Sequence, residues 1–355
     1  MMMTRYDMTD RGADGMRGLR GLAGLLCLCA CFSLLWVSCT KEVEFKDKET
    51  APRLVLNGMI CSGDSICFKV SRSVFFLDPV VDYSAPEGVT AQLYVNGNQI
   101  GGLQVSDDTL YNDISYFNGQ MHSMIYKIFT SSYVAKLGDR VRVVVSAPGY
   151  ETVEAECEVA QYNPQVEVSY VVKDSFQEAS MYGDSTIYFN CDLEVQLKVT
   201  DPTPGTMDFY VLRMNPNGGE MGDNTGWSAY LDSDDPVFGG GSVISNWLDL
   251  DLGGYYSLMF DDRLFDGKSY TIRMRMYVYG NFKEGEDVAD MNLELLHLSR
   301  DLYQYYSTYC EEQEDWLNFF YEPVQTHNNV KNGYGVLGSA SVERIPIRLK
   351  IYPKK

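Results

Sequence analysis

Apolar and polar side chains alternate with a period of two residues from Arg53 onward. Residues 89–95 place an apolar side chain at every odd position and run into Asn96-Gly97, the strongest short signal for a β-hairpin. Residues 152–159 alternate apolar side chains with threonine and glutamate. One buried and one solvated face on each strand is typical of antiparallel sheets. The spacing of strands and turns predicts an immunoglobulin-like β-sandwich over residues 51–160.

A second alternation follows a short linker at 161–164. Residues 187–199 carry an apolar side chain at every odd position, and residues 272–278 repeat the alternation at even positions. These segments predict a second, larger antiparallel sandwich over residues 161–355, so the fold class is mainly β. One helix is predicted at about 301–315, because Leu302, Tyr305, Tyr306 and Tyr309 follow the helical spacing i, i+3, i+4 and i+7. We expect this stripe to face the core.

The first 38 residues differ from the rest of the chain. Arginines precede an apolar run at 21–37, which stops at Ser38-Cys39, as a secretory signal does. A cysteine directly after the small residue resembles a bacterial lipobox, in which the thiol is acylated and the cysteine becomes the mature amino terminus. We therefore predict a signal peptide at 1–38, lipidation of Cys39 and a charged tether at 39–50. The alternative is a transmembrane anchor, which normally needs about 20 apolar residues.

The residues after Cys39 bear on the location of the protein. Lys41, Glu42 and Glu44 are similar to the early lysine and acid runs that resemble a surface-export signal in related lipoproteins. We predict anchoring in the outer membrane through lipid, with surface display favoured over the periplasm. The alternative is that these residues form only a solvated tether in the periplasm.

Composition narrows the classes of function. The chain holds 29 Lys and Arg against 49 Asp and Glu, a net charge of −20, which argues against a nucleic-acid partner. The three histidines lie far apart, without the spacing of zinc ligands. We predict no metal and no other cofactor. No nucleophile, base and orienting group occur at a recognisable spacing, so we predict that the protein is not an enzyme.

The stretch Gly333-Tyr334-Gly335-Val336-Leu337-Gly338 matches the dinucleotide-binding pattern letter for letter. The sequence predicts no strand before this stretch, and it predicts extended rather than helical structure after it. The chain ends too soon afterward to supply the acid about 20 residues on that binds the ribose. We expect these glycines to form a turn or bulge leading into a strand.

Two cysteines flank a short turn-like segment. Cys61 and Cys67 enclose residues 62–66, and in an oxidising compartment they could close a cross-strand disulfide. The register of the two strands decides this, because it sets the Cα separation.

Alternation breaks down between Asn215 and Ser257, in a stretch rich in glycine. A long irregular segment in a compact domain is usually either functional or mobile, so we predict a binding loop here. Its candidate residues are aromatic or acidic: Trp227, Asp232, Asp234, Asp235, Trp247, Tyr255 and Tyr256. The order of an EF-hand is missing, which favours solvated loop acids over calcium ligands.

Several segments together resemble a known family. They are Cys39-Thr40-Lys41-Glu42, residues 52–60 (PRLVLNGMI), residues 147–153 (APGYETV) and residues 329–335 (NVKNGYG). The chain resembles the Bacteroidetes lipoproteins grouped as domain of unknown function 4249. The resemblance implies a cell-envelope lipoprotein found alongside TonB-dependent outer-membrane transporters, and it implies no catalytic residue.

These observations predict a non-catalytic binding or accessory component of a TonB-dependent nutrient-uptake system. The first alternative is a surface lipoprotein that binds glycans or mediates adhesion through the aromatic loop. The second is a glycoside hydrolase, which would need two carboxylates facing one cleft. The partners expected are thus the membrane, through the lipid anchor, and either a transporter or a glycan.

Overall fold

The computed structural model describes residues 51–73, 84–112, 122–179, 186–216, 227–239, 243–244, 257–283, 288–314 and 325–350. The predicted signal peptide, Cys39 and the tether lie outside these ranges. Within them, no helix is both long and apolar enough to cross a membrane.

Seventeen strands and one α-helix make up the described chain. The first eight strands are β1 (Leu54–Cys61), β2 (Ser65–Arg72), β3 (Thr90–Val95), β4 (Asn98–Ile100), β5 (Gln104–Asn112), β6 (His122–Val134), β7 (Arg140–Ser146) and β8 (Val153–Glu158). The others are β9 (Gln165–Ala179), β10 (Thr186–Thr200), β11 (Phe209–Pro216), β12 (Trp227–Asp232), β13 (Val243–Ile244), β14 (Ser257–Asp261), β15 (Ser269–Lys283), β16 (Val288–Leu298) and β17 (Leu337–Lys350), with helix α1 (Arg300–Glu314) before β17. The predicted mainly β class is confirmed.

The first sandwich packs a four-stranded sheet, β4-β3-β7-β8, against β1, β2 and β6. Its core holds the apolar side chains that alternate along these strands, such as Leu56, Phe68 and Val143, each at most 1% exposed. The predicted turn joins β3 to β4. Asn96 and Gly97 have φ values of 52° and 81°, and two consecutive positive φ values match the type I′ turn that suits a tight hairpin.

A buried aspartate closes the turn between β6 and β7. The carboxylate of Asp139 accepts hydrogen bonds from Asn96 Nδ2 at 2.8 Å, Tyr133 Oη at 2.9 Å and the Lys136 amide at 2.9 Å. Burial raises the pKa of Asp139, but these hydrogen bonds outweigh burial and hold the pKa below its usual value.

The second sandwich packs the sheet β12-β15-β10-β9 against β14, β11, β16 and β17. From Phe189 to Val199, the odd positions of β10 that the alternation predicted as buried point into this core, and Leu193, Leu197 and Val199 are fully buried. Strands β10 and β15 pair antiparallel over fifteen residues, from Thr186–Lys283 to Thr200–Ser269. This long ladder forms the outer wall of the sandwich.

One nine-stranded sheet runs through both sandwiches, in the order β13-β14-β11-β16-β17-β1-β2-β6-β5. Its centre is the parallel pair β1–β17, in which Gly58 lies opposite Leu337. Val330 and Leu337, from the carboxyl end of the chain, are buried in the core of the first sandwich. The carboxyl-terminal segment therefore completes the amino-terminal sandwich.

Helix α1 packs on part of the outer face of this nine-stranded sheet, over β11, β16 and β17. Leu302 and Tyr306 are fully buried and pack against Val211, Leu296 and Ala340 in a third apolar cluster. Both belong to the predicted tyrosine stripe and face a core as expected. The helix begins one residue before the predicted start, at Arg300.

The three glycines of the dinucleotide-like pattern lie where the backbone passes close to other elements. A Cβ at Gly335 (φ 109°) would collide with the Leu56 carbonyl oxygen, and one at Gly338 would lie 2.5 Å from Leu302 Cβ. A Cβ at Gly333 would lie 2.5 Å from the Leu54 carbonyl oxygen. The segment leads into β17 rather than into a helix, so these glycines serve packing against β1 and α1.

Candidate functional site

The predicted binding loop is partly a regular strand. Trp227 and Asp232 begin and end β12, which pairs with β15 so that Trp227 lies opposite Gly280 and Asp232 opposite Arg275. Trp247, Tyr255 and Tyr256 lie outside the described residues. The segment was predicted as irregular because its glycines and acids obscure the short alternation of β12.

Asp235 has a structural role that the sequence did not indicate. Its carboxylate accepts hydrogen bonds from the Val237 amide at 3.2 Å, Tyr270 Oη at 2.9 Å and the Arg273 amide at 3.1 Å. It thereby caps the short 3-10 helix Pro236–Phe238 and joins it to β15. The carboxylate of Asp235 is thus engaged in hydrogen bonds within the fold, whereas the side chain of the neighbouring Asp234 is exposed.

Aromatic side chains gather on the outer face of the sheet β12-β15-β10-β9. We call this set the aromatic face: Phe176, Tyr188, Tyr230, Tyr277 and Tyr279. Phe176, Tyr188 and Tyr279 are 44–49% exposed. Tyr230 and Tyr277 are directly opposite in register and stack with ring centroids 4.8 Å apart. Exposed aromatic clusters of this kind commonly mark interaction sites.

A shallow cavity of about 170 Å³ lies within the aromatic face. Its polar wall is formed by Asp174, Asn190 and Asp192. Asp192 lies opposite Asp174 in the β10–β9 ladder, and its Oδ1 is buried without a hydrogen-bond partner. The cavity therefore combines aromatic ring faces with a polar wall, the usual composition of a small-ligand site.

A second polar cluster is buried where loops meet at one end of the second sandwich. The carboxylate of Asp208, just before β11, accepts hydrogen bonds from His297 Nε2 at 3.0 Å, Tyr162 Oη at 2.7 Å and Thr203 Oγ1 at 2.6 Å. Burial raises the pKa of Asp208, but the hydrogen bonds from His297, Thr203 and Tyr162 outweigh it and lower the pKa. Tyr162 also lies 3.2 Å from Tyr210 through their hydroxyl oxygens. This network ties the linker at 161–164 to the second sandwich.

Two further aspartates join this cluster. Asp201 directly follows β10 and Asp262 directly follows β14, and each offers a carboxylate oxygen that lies within 4.8 Å of one on Asp208. Sequence reasoning missed the group because its members are separated by up to 135 residues, from Tyr162 to His297. The only local signal was an aspartate at the end of each of two apolar strands.

A third polar group lies on the outer face of the nine-stranded sheet, beside the apolar cluster under α1. Glu294 is fully buried and accepts hydrogen bonds from Arg213 Nε at 2.8 Å and Arg344 Nε at 3.0 Å. The three residues are directly opposite one another in register on β11, β16 and β17. The two arginines line a cavity of about 250 Å³ that Cys61 and Cys67 also line.

The structure differs from the predicted disulfide, because Cys61 and Cys67 are both free thiols. Extending the β1–β2 register, in which Asn57 lies opposite Lys69, places Cys61 opposite Ser65 and Cys67 opposite Met59. The two cysteines are therefore diagonal neighbours, and diagonal positions are about 7–8 Å apart, beyond the usual Cα separation of a disulfide. Burial, reinforced by the negative charge of Asp64, raises the pKa of the Cys61 thiol to about 11.

Comparison with known proteins identifies one family. The family described as "Domain of unknown function (DUF4249)" matches residues 40–345. No curated protein matches the chain.

The chain also has weak likeness to solved structures of adhesins. A point mutant of the CFA/I adhesin CfaE from enterotoxigenic E. coli shares 8% identity, covering 85% of this chain and 87% of that chain, with a TM-score of 0.21. The collagen adhesin CNA from S. aureus shares 8% identity, covering 85% of this chain and 95% of that chain, with a TM-score of 0.16. Structural similarity at TM-scores this low does not indicate a shared function.

Proposed function

The chain belongs to the family described as domain of unknown function DUF4249, and on that premise we propose that it is a lipid-anchored, non-catalytic binding component of the outer membrane. In this proposal Cys39 carries the lipid, and the protein assists a TonB-dependent transporter in nutrient uptake. The apolar run that stops at Ser38-Cys39 supports the anchor. We further propose that the protein is displayed on the cell surface.

The aromatic face is the observation that carries the proposal of binding. Tyrosine and phenylalanine offer large contact area at a low cost in side-chain entropy, because each has only two rotatable side-chain angles. Tyr279 and Phe176 remain almost half exposed on a regular sheet, so they need no rearrangement to meet a partner. A rigid sheet that presents such side chains is suited to recognition.

Photo-crosslinking in intact cells tests the proposed transporter partner. Tyr279 is replaced by a benzophenone amino acid, and Tyr94 on the first sandwich receives the same replacement as a matched control. We expect Tyr279 to form an adduct with an integral outer-membrane transporter and Tyr94 to form none. A transporter adduct from Tyr94 alone, or none from either site, would refute binding through the aromatic face.

Glycan binding is a second candidate that the cavity specifically favours. Stacked Tyr230 and Tyr277 offer a surface for a sugar ring, and the polar wall of the cavity offers acceptors for its hydroxyls. We expect Tyr277→Ala to weaken glycan retention at least tenfold on an array and Tyr94→Ala to leave it unchanged. Equal binding by both variants would remove this candidate.

Hydrolysis of glycans would need a pair of carboxylates, and Asp174 with Asp192 is the pair to test. We propose that Asp174 and Asp192 bind the glycan without hydrolysing it. Turnover of a glycan by the purified protein that Asp192→Asn abolishes would overturn the non-catalytic assignment.

A further inference from the structure

Three aspartates converge in the buried cluster described above, and their charges need compensation. Asp201, Asp208 and Asp262 are 3%, 5% and 1% exposed, and each offers a carboxylate oxygen within 4.8 Å of the others. Three formal negative charges at this separation, removed from water, repel one another strongly. Such a group is stable only if positive charge lies among the carboxylates.

The protein itself supplies little of this positive charge. Within the described ranges, His297 beside Asp208 is the only basic side chain within ion-pair distance of these three carboxylates. The other donors to Asp208 and Asp201 among the described residues are neutral: the hydroxyls of Tyr162 and Thr203 to Asp208, and the backbone amides of Thr203 and Gly267 to Asp201. These bonds orient the carboxylates without removing their charge.

Asp262 provides a second, independent observation. Its Oδ2 is buried and has no hydrogen-bond partner, although Asp201 and Asp208 are both held by several donors. An unpaired carboxylate oxygen inside a protein is expensive, by several kcal/mol, so a buried one in an otherwise satisfied cluster points to a missing partner. Burial, followed by the nearby charges of Asp208 and Asp201, raises the pKa of Asp262 to about 6.

We propose that Asp201, Asp208 and Asp262 bind a calcium ion. Carboxylate oxygens are the preferred ligands of hard divalent cations. Calcium accepts irregular coordination by loop residues such as these three aspartates, whereas magnesium requires near-octahedral geometry and keeps several waters. The ion offsets two of the three negative charges and gives Asp262 Oδ2 the partner that this oxygen lacks.

The site would join separate parts of the second sandwich. Asp201 and Asp208 flank the β10–β11 loop, and Asp262 begins the turn between β14 and β15. Because Asp208 also accepts from Tyr162, the ion supports the attachment of the 161–164 linker. Its role is therefore to stabilise the end of the second sandwich that adjoins this linker.

Terbium luminescence and thermal unfolding test the site in the full-length protein, purified in detergent and freed of metal with EDTA. Terbium replaces calcium in oxygen sites and is excited through nearby tyrosines, here Tyr162 and Tyr210. We expect saturable emission that calcium chloride competes away, and a Tm about 5 °C higher with excess calcium than with EDTA. Magnesium chloride at the same concentration should give a smaller shift, and an equal or larger one would overturn the assignment to calcium.

Two Asp→Asn variants separate this site from the exposed acids. Asp262→Asn should bind terbium at least tenfold more weakly and lose the calcium-dependent shift, whereas Asp234→Asn should behave as the unmodified protein. If Asp262→Asn does not fold, Asp201→Asn replaces it. Unchanged terbium binding by the cluster variant would overturn the proposal. The proposal would also be overturned if the Tm of the unmodified protein did not change with calcium but rose in acid. The missing positive charge would then be a proton on Asp262.

Discussion

Replacing Glu294 with alanine tests the importance of the buried ion group on the outer face of the nine-stranded sheet. Glu294 is fully buried between two arginines whose Nε atoms lie 2.8 and 3.0 Å from its oxygens. The side chain of Arg213 is 10% exposed, whereas that of Arg344 is 56% exposed. After the substitution Arg344 can turn to water, but Arg213 loses a carboxylate while it stays buried.

The expected loss in the free energy of unfolding follows from this difference in exposure between Arg213 and Arg344. Removing one partner of a buried ion pair typically destabilises a protein by about 3–5 kcal/mol. Since only one of the two arginines remains trapped, we expect the lower end, about 3 kcal/mol, in the free energy of unfolding. Glu294→Gln keeps the shape and one acceptor oxygen, so its cost should fall between that of Glu294→Ala and zero.

Glu167→Ala is the matched control, because Glu167 pairs with Lys198 at 3.0 Å while its side chain is 75% exposed. Exposed pairs contribute about 0–1 kcal/mol. Equilibrium unfolding in urea, followed by intrinsic fluorescence, measures the free energy of unfolding of all variants. If Glu294→Ala costs no more than Glu167→Ala, the buried carboxylate does not stabilise the fold and the reasoning is wrong.

Three further predictions concern other parts of the chain. Gly338→Ala should cost about 1–3 kcal/mol through overpacking against Leu302, whereas Gly101→Ala, which meets nothing within 4 Å, should cost under about 0.5 kcal/mol by the same urea assay. Since the pKa of Asp139 is lowered in the folded state, its contribution to stability is present at neutral pH and lost in acid. Asp139→Asn should thus lose less stability between pH 7 and about pH 3, and an unchanged acid loss would contradict this. Cys39→Ser should release a soluble, unlipidated protein in cell fractionation, and a membrane-bound, uncleaved product would favour the transmembrane alternative.

Local patterns predicted the parts of the fold that local physics decides. The alternation along β10 predicted its buried face, because the period of a strand is set by the backbone. The Asn96-Gly97 turn was predictable because few other residue pairs adopt two positive φ values. The helix was predicted to within one residue at each end, at Arg300 and Glu314, because its apolar spacing continues over two turns.

Features that depend on distant residues were not predictable in this way. The pairing of β1 with β17 joins residues 279 positions apart, Gly58 and Leu337, and no local signal reports it. The aromatic face was missed for a related reason. Tyr230 and Tyr277 meet only through the β12–β15 register, and β12 itself was hidden in a glycine-rich segment.

The parallel pair β1–β17 has a consequence for biosynthesis. Chains are made from the amino terminus at about 5–20 residues per second. Roughly 15–55 seconds therefore pass between the synthesis of β1 and that of β17, which pairs with its edge. During that time the first sandwich lacks Val330 and Leu337 from its core, and the edge of β1 is open to other strands. A chain stopped before Leu337 would leave the sandwiches at both ends of the molecule unfinished. Strand β17, which pairs with both β16 and β1, is thus a late-made segment on which both sandwiches depend.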